Sequence, residues 1–125
     1  MNLSCGTDII EIARVKHSIE TCQGFQERVF TKEEINYCEQ KKVAKYQSFA
    51  GKFAGKEAVV KALGTGFAKG ISLQDIEIQN NENGKPNVQL YGNAKRIFKQ
   101  LCAKEISISI SHSDTDAVAF VVILF

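Results

Sequence analysis

One stretch limits what this chain can fold into more than any other: FAGKFAGKEAVVKALGTG, residues 49–66. The spacing predicts a helix over residues 45–63, with Phe49, Phe53, Val60 and Leu63 giving it an apolar side. Small residues, Ala50, Gly51, Ala54 and Gly55, stand between the phenylalanines. Phe53, Glu57 and Lys61 recur every four residues and line a neighbouring stripe. Gly64 is a natural helix stop, and Gly64-Thr65-Gly66 forms a bare turn where a backbone can approach a ligand closely. It is not a P-loop, because GxxxxGK followed by Ser or Thr is absent.

Charge collects around the same stretch. Residues 41–69 hold seven lysines (41, 42, 45, 52, 56, 61 and 69) against Glu57 alone, a net of +6. The other residues carry nine basic and thirteen acidic groups, a net of −4. Such a segment either faces an anionic partner or forms a solvated lysine face. At 125 residues and 44% hydrophobic content the chain suits one domain with its own core. It has no apolar run of membrane-spanning length, and MNLSCGTDII lacks the layout of a signal peptide, so a cytoplasmic protein with no membrane partner is expected. Cys5, Cys22, Cys38 and Cys102 form no CxxC pair and read as reduced, mostly buried thiols.

Elsewhere, residues 3–12 read as a strand with Asp8, Ile10 and Ile12 on one face, and residues 13–22 as a helix. Thr31 and Glu34 make a capping box, and Phe30 with Ile35 a hydrophobic staple, for a helix over 32–42. Residues 72–79 alternate as a strand, NENGKP turns, and NVQLY returns. A helix over 92–103 precedes strands at 106–111 and 117–124. The second of these is apolar almost throughout, so it is expected to be central or covered on both faces. The fold class is α+β, with a largely antiparallel sheet packed against a long central helix.

Asp8 on an apolar strand needs a cation nearby or a place at the sheet's open end. If the central helix packs on the sheet, Asp8 and Glu57 can meet. Two hard carboxylates suit Mg²⁺, which fills its octahedron with water and phosphate oxygens, and Lys61 can reach the same phosphates. Alternatively, Glu57 simply pairs with Lys61 one turn on. His112, at a strand end beside Ser111 and Ser113, can bind phosphate, relay a proton or be an ordinary loop residue. Ser111, His112 and Asp114 do not make a catalytic triad, because no nucleophile-elbow sequence is present.

Three segments in order resemble the signatures of the holo-acyl-carrier-protein synthases. GTDIIEIARV resembles G-x-D-I/V-x-E-I/L-x-R. FAGKFAGKEAVVKALGTG resembles F-x-A/G-R/K-F/W-A-A/G-K-E-A-x-x-K-A-L/F-G-T-G, and SISISHSDTDAVAFVVI resembles the C-terminal signature. The resemblance implies an enzyme with a 4′-phosphopantetheinyl transferase-like fold in a single domain over residues 1–125. It would transfer the 4′-phosphopantetheine arm of coenzyme A to a serine of apo acyl carrier protein for fatty acid biosynthesis, releasing adenosine 3′,5′-bisphosphate. It implies Mg²⁺ on Asp8 and Glu57, with Lys61 on the diphosphate. Lys45 or Lys52 would hold the 3′-phosphate, the adenine would lie near Gly64, Thr65 and Gly66, and His112 would contact the coenzyme's phosphate end. Phe49 is expected in the core and Phe53 in the cleft. Arg14, Phe25 and Arg28 would meet the acidic carrier, although TCQGFQER has fewer arginines than more basic members. It also implies a homotrimer with active sites between subunits. A coenzyme A-binding module without catalysis would need neither Asp8 nor Glu57. A nucleic-acid-binding domain would interleave aromatics with exposed lysines, whereas these phenylalanines lie on apolar stripes.

Overall fold

The structure, a computed structural model, describes residues 2–67 and 69–125. The chain runs β1 (Leu3–Glu11), α1 (Ile12–Thr21), α2 (Phe25–Val29), α3 (Lys32–Glu39), α4 (Lys45–Leu63), β2 (Ile76–Asn80), β3 (Pro86–Leu90), α5 (Gly92–Gln100), β4 (Glu105–His112) and β5 (Asp116–Leu124). β1, β5 and β4 form an antiparallel sheet in that spatial order, and β2 with β3 forms a separate antiparallel pair. This is the expected α+β arrangement, strands packed on one long helix.

The small residues of α4 let the sheet lie directly on it. A Cβ at Gly6 of β1 would stand 2.0 Å from the carbonyl oxygen of Ala58 and 2.7 Å from the amide nitrogen of Ala62. At Gly51 and Gly55 it would crowd Ile110 and Ile108 of β4, at 2.9 and 3.0 Å. Ser4 Oγ donates to Ala62 O at 2.6 Å. Ser4 therefore lies at the end of α4 and Gly6 nearer its middle, so β1 runs antiparallel to the helix. Ala54, Ala58, Val59 and Ala62 join Ala119, Val121 and Ile123 of β5 in the main core. Phe49 packs with Phe30 in a second cluster, ring centroids 5.0 Å apart.

Several boundaries differ from expectation. β1 stops at Glu11 and Ile12 already opens α1. α3 carries the expected capping box but ends at Glu39, and Lys42 has φ +55°. Residues 73–75 form a 3₁₀ turn capped by Ser72 and Asp75, because a local capping box competes with the ladder, so β2 begins only at Ile76. α5 ends at Gln100, and Cys102 has φ +59°. Only Cys38 is buried, which corrects the expectation of mostly buried thiols. Burial pushes its thiol up to about 11.

β5 is central but covered on one face only. Ala117, Ala119, Val121 and Ile123 are buried toward α4, while Val118 and Phe120 are 37% and 46% exposed on the outer face. Ile9 of β1 lies opposite Val118 and is 68% exposed. Two glycine variants test the packing. Gly6→Ala is expected to destabilise by about 3 kcal/mol or more, since its clash is with backbone. Gly64→Ala, at φ +78° with nothing within 4 Å, should cost only about 1–2 kcal/mol. Urea unfolding compares them, and an unperturbed Gly6→Ala would refute the close approach.

Candidate active site

Because β1 runs antiparallel to α4, Asp8 lies level with the Glu57–Lys61 turn. Lys61 Nζ donates to Asp8 Oδ1 at 3.1 Å and to Thr7 O at 2.9 Å. The side chains are 54% exposed for Lys61 and 18% for Asp8, so the pair sits at the protein's edge. Lys61 thus turns to Asp8; among the described residues it makes no ion pair with Glu57, the pairing that the i,i+4 spacing also allowed. Glu57 is half-buried, and its carboxyl is raised above the usual range, first by burial and then by the charge of Asp8, with Lys61 opposing.

This donor set fits a hard divalent cation. Among the described residues no group of three or more His, Cys, Asp or Glu side chains gathers at one point. Two carboxylates that strain each other as anions are relieved by a positive ion, and Mg²⁺ takes one or two of them while keeping other positions for water and phosphate. Asp8 and Glu57 are the residues that would hold it. The turn Gly64-Thr65-Gly66 follows Lys61 directly, with φ +78° and +58° at its two glycines. Thr65 Oγ1 donates to Gly66 O at 3.0 Å.

Phe53, one turn before Glu57, stacks on Phe25 with centroids 6.3 Å apart and planes at 21°. Together with Ile10, Arg14, Val15 and Ser18 they line a cavity of about 240 Å³. Arg14 and Phe25 are thus brought together beside the carboxylates. Arg28 is exposed on α2 and donates to Gln23 O at 3.1 Å.

The remaining site residues lie elsewhere. Tyr37, Lys41, Gln47, Ser48, Lys52 and His112 line part of a cavity of about 300 Å³. Nine residues, two and a half turns at about 3.6 per turn, separate Ser48 from Glu57 and Lys52 from Lys61. The two sets therefore occupy opposite sides of α4, and one chain does not bring His112 to Asp8 and Glu57. Lys45 pairs with Glu39 at 3.3 Å. Lys52 departs from the picture of an open phosphate ligand. It is buried, and its Nζ donates to Ile78 O and Asn80 Oδ1 at 2.6 and 2.5 Å, with the Tyr37 ring 4.5 Å away. Lys56 is buried too, paired with Glu34 at 2.7 Å. The lysine-rich segment is therefore not one solvated face. Tyr37, Lys56 and Glu34 went unseen in the sequence. The i,i+4 spacing of Lys52 and Lys56 was the available signal, and Glu34 showed only as a capping residue.

Residues 4–121 match the model of the 4′-phosphopantetheinyl transferase superfamily. The chain is 49% identical over 124 residues to the holo-acyl-carrier-protein synthase of Ruminiclostridium cellulolyticum, covering 98% of this chain and 92% of that one. It is similar to the crystal structure of the Helicobacter pylori holo-acyl-carrier-protein synthase in complex with coenzyme A, with TM-score 0.82 and 35% identity, covering 95% of this chain and 98% of that one. A Chronobacterium ammoniagenes complex with coenzyme A shares the fold at TM-score 0.88 and 22% identity, covering 100% and 98% of the two chains.

The raised carboxyl of Glu57 has a consequence for stability. A folded-state value above the unfolded one means that the native protein holds the proton more tightly. The stabilisation is full at low pH and is lost as pH rises through the raised value. A glutamine, which never charges, escapes that loss. In EDTA, Glu57→Gln should therefore melt higher than the parent near pH 8, and the two should converge toward about pH 4. Calorimetry across that range checks it, and a parent that is the more stable protein at pH 8 would contradict the assignment.

Proposed function

The chain belongs to the 4′-phosphopantetheinyl transferase superfamily, and on that premise we propose Mg²⁺-dependent transfer of the 4′-phosphopantetheine arm of coenzyme A to a serine of apo acyl carrier protein, serving fatty acid biosynthesis. Adenosine 3′,5′-bisphosphate is the other product. The observation that carries the reading is the meeting of Asp8, Glu57 and Lys61 at one edge of the protein, on two of the three signature segments.

Bound at Asp8 and Glu57, Mg²⁺ would offset the charge that develops on the leaving phosphate. Lys61, more than half exposed, presents a point charge at the same edge. The bare turn at Gly64, Thr65 and Gly66 leaves room for the adenine beside it. The 3′-phosphate belongs to the His112 cavity, where Lys41 and Lys52 add positive charge. Lys52 has a third N–H beyond those given to Ile78 O and Asn80 Oδ1 to offer it, and Lys45 would first leave Glu39. Arg14, Phe25 and Arg28 are the surface offered to an acidic carrier, with the cavity at Phe53 open to an apolar side chain.

The assembly proposed with it is a homotrimer, and the same geometry supports a site shared between copies. One coenzyme A molecule would have to pass round α4 to touch both sets of residues within a single chain. It can lie between the Asp8–Glu57 edge of one copy and the His112 edge of the next. The exposed apolar surface of the sheet, Leu3, Ile9, Val118 and Phe120, supports such an assembly.

Intact-mass spectrometry of apo acyl carrier protein incubated with this protein, coenzyme A and Mg²⁺ tests the activity. One phosphopantetheine arm should be added, with Asp8→Asn and Glu57→Gln slower by about 10²–10³-fold and EDTA abolishing the gain. No added mass with several apo carriers would sink the reading. Phe120→Glu should dissociate the assembly in sedimentation and lose activity with it, and full activity as a monomer would refute the shared site.

A further inference from the structure

Residues buried on every side of α4 leave the helix without a single apolar stripe to set its rotation. Toward the sheet it presents glycines and alanines, which let β1 and β4 come close but offer no polar side chain of their own. Ser4 Oγ and Lys61 Nζ tie its C-terminal end to β1, and on the side facing β2 the directional contacts come from Lys52 and Lys56, one turn apart. Lys56 Nζ has three hydrogens and three acceptors: Glu34 Oε1 at 2.7 Å, Ile76 O at 2.5 Å and Leu73 O at 2.9 Å. Glu34 in turn accepts from Thr31 N at 2.9 Å and Ile78 N at 2.7 Å. Lys52 takes Ile78 O and Asn80 Oδ1. β2 pairs with β3 along one edge only. Along its other edge, these three charged side chains stand where a neighbouring strand would be.

We propose that Lys56 with Glu34, supported by Lys52, fixes the rotation of α4 and thereby aims Glu57 at Asp8. Lys56 and Glu57 are consecutive, about 100° apart around the axis, so locking one azimuth locks the other. A turn of α4 by about 20° would carry a group about 5 Å off the axis sideways by about 2 Å. Functional constellations tolerate about 0.5 Å. A buried ion pair is weak evidence for stability, and setting a register is its best-attested use. The three residues are positioning residues, since none of them reaches the carboxylates. The proposal rests on Asp8 and Glu57 being the metal ligands.

Mn²⁺ alone, titrated by electron paramagnetic resonance, is the probe, with thermal midpoints measured in EDTA beside it. Lys56→Met should weaken Mn²⁺ binding by about tenfold or more. Ile97→Ala, a core truncation in α5 that removes none of these hydrogen bonds, should lower the midpoint but leave Mn²⁺ affinity unchanged. Should Lys56→Met not fold, Lys52→Met takes its place, because the adjoining cavity lets water reach Ile78 O. It should weaken Mn²⁺ binding about threefold or more, and Lys52→Arg, which keeps donors for both oxygens, should restore it. Lysine variants that bind Mn²⁺ as the parent does would overturn the proposal while leaving the metal reading intact. A parent that binds no Mn²⁺, or a Glu57→Gln variant that binds it equally well, would remove that reading and this inference together.

Discussion

Of the described glycines, Gly6 is the most tightly enclosed: β1 approaches α4 there so closely that a single methyl group would meet the helix backbone. Dispersion falls steeply with separation, so two elements joined at backbone distance are held far more rigidly than two joined through long side chains. That contact sets the level of β1 against the helix. Asp8, two residues on, can then reach Lys61, and its charge can act on Glu57. The nearness of these two acids is a by-product of tight packing: two elements far apart in sequence each carry one acid, and a glycine lets them close.

Lysine performs three different tasks along one helix. Lys61, at the exposed edge, pairs with Asp8 while staying more than half open to solvent. Lys52 and Lys56 bury theirs, and burial lowers both ammonium groups below the ordinary lysine range, with the nearby carboxylates opposing. What keeps such charges inside is hydrogen bonding to backbone oxygens, to the Asn80 side chain and to Glu34. The stretch that looks most like a cationic binding strip is therefore in large part internal scaffolding. Lys45, tied to Glu39, stands between these extremes.

The half-turn between the two sides of α4 has a second outcome. A helix buried all round must be covered on every side, and here the signature residues divide between those sides. On the proposed reading, a long ligand held between neighbouring copies would join them. An outer sheet face carrying Leu3, Ile9, Val118 and Phe120 is the surface through which copies of the chain would associate.

Much of the fold was legible without coordinates. The bounds of α4, the capping box at Thr31 and Glu34, and the last two strands follow from periodicity and capping, which are local properties. Where reading failed, a local competitor was at work, as with the 3₁₀ turn at residues 73–75 and the early end of α3. Glu57 and Asp8 stood out as acids in improbable settings, and a family pattern covering both sharpened that. What the sequence determined by itself was therefore the family, most of the elements and where the candidate acids and cations stand along them. Only the tertiary structure decided that Lys61 turns to Asp8 rather than Glu57, that Lys52 and Lys56 face inward, and that His112 lies half a turn away. The reason is physical: residue type states what a side chain can do, whereas its partner depends on which groups the packing leaves unpaired nearby.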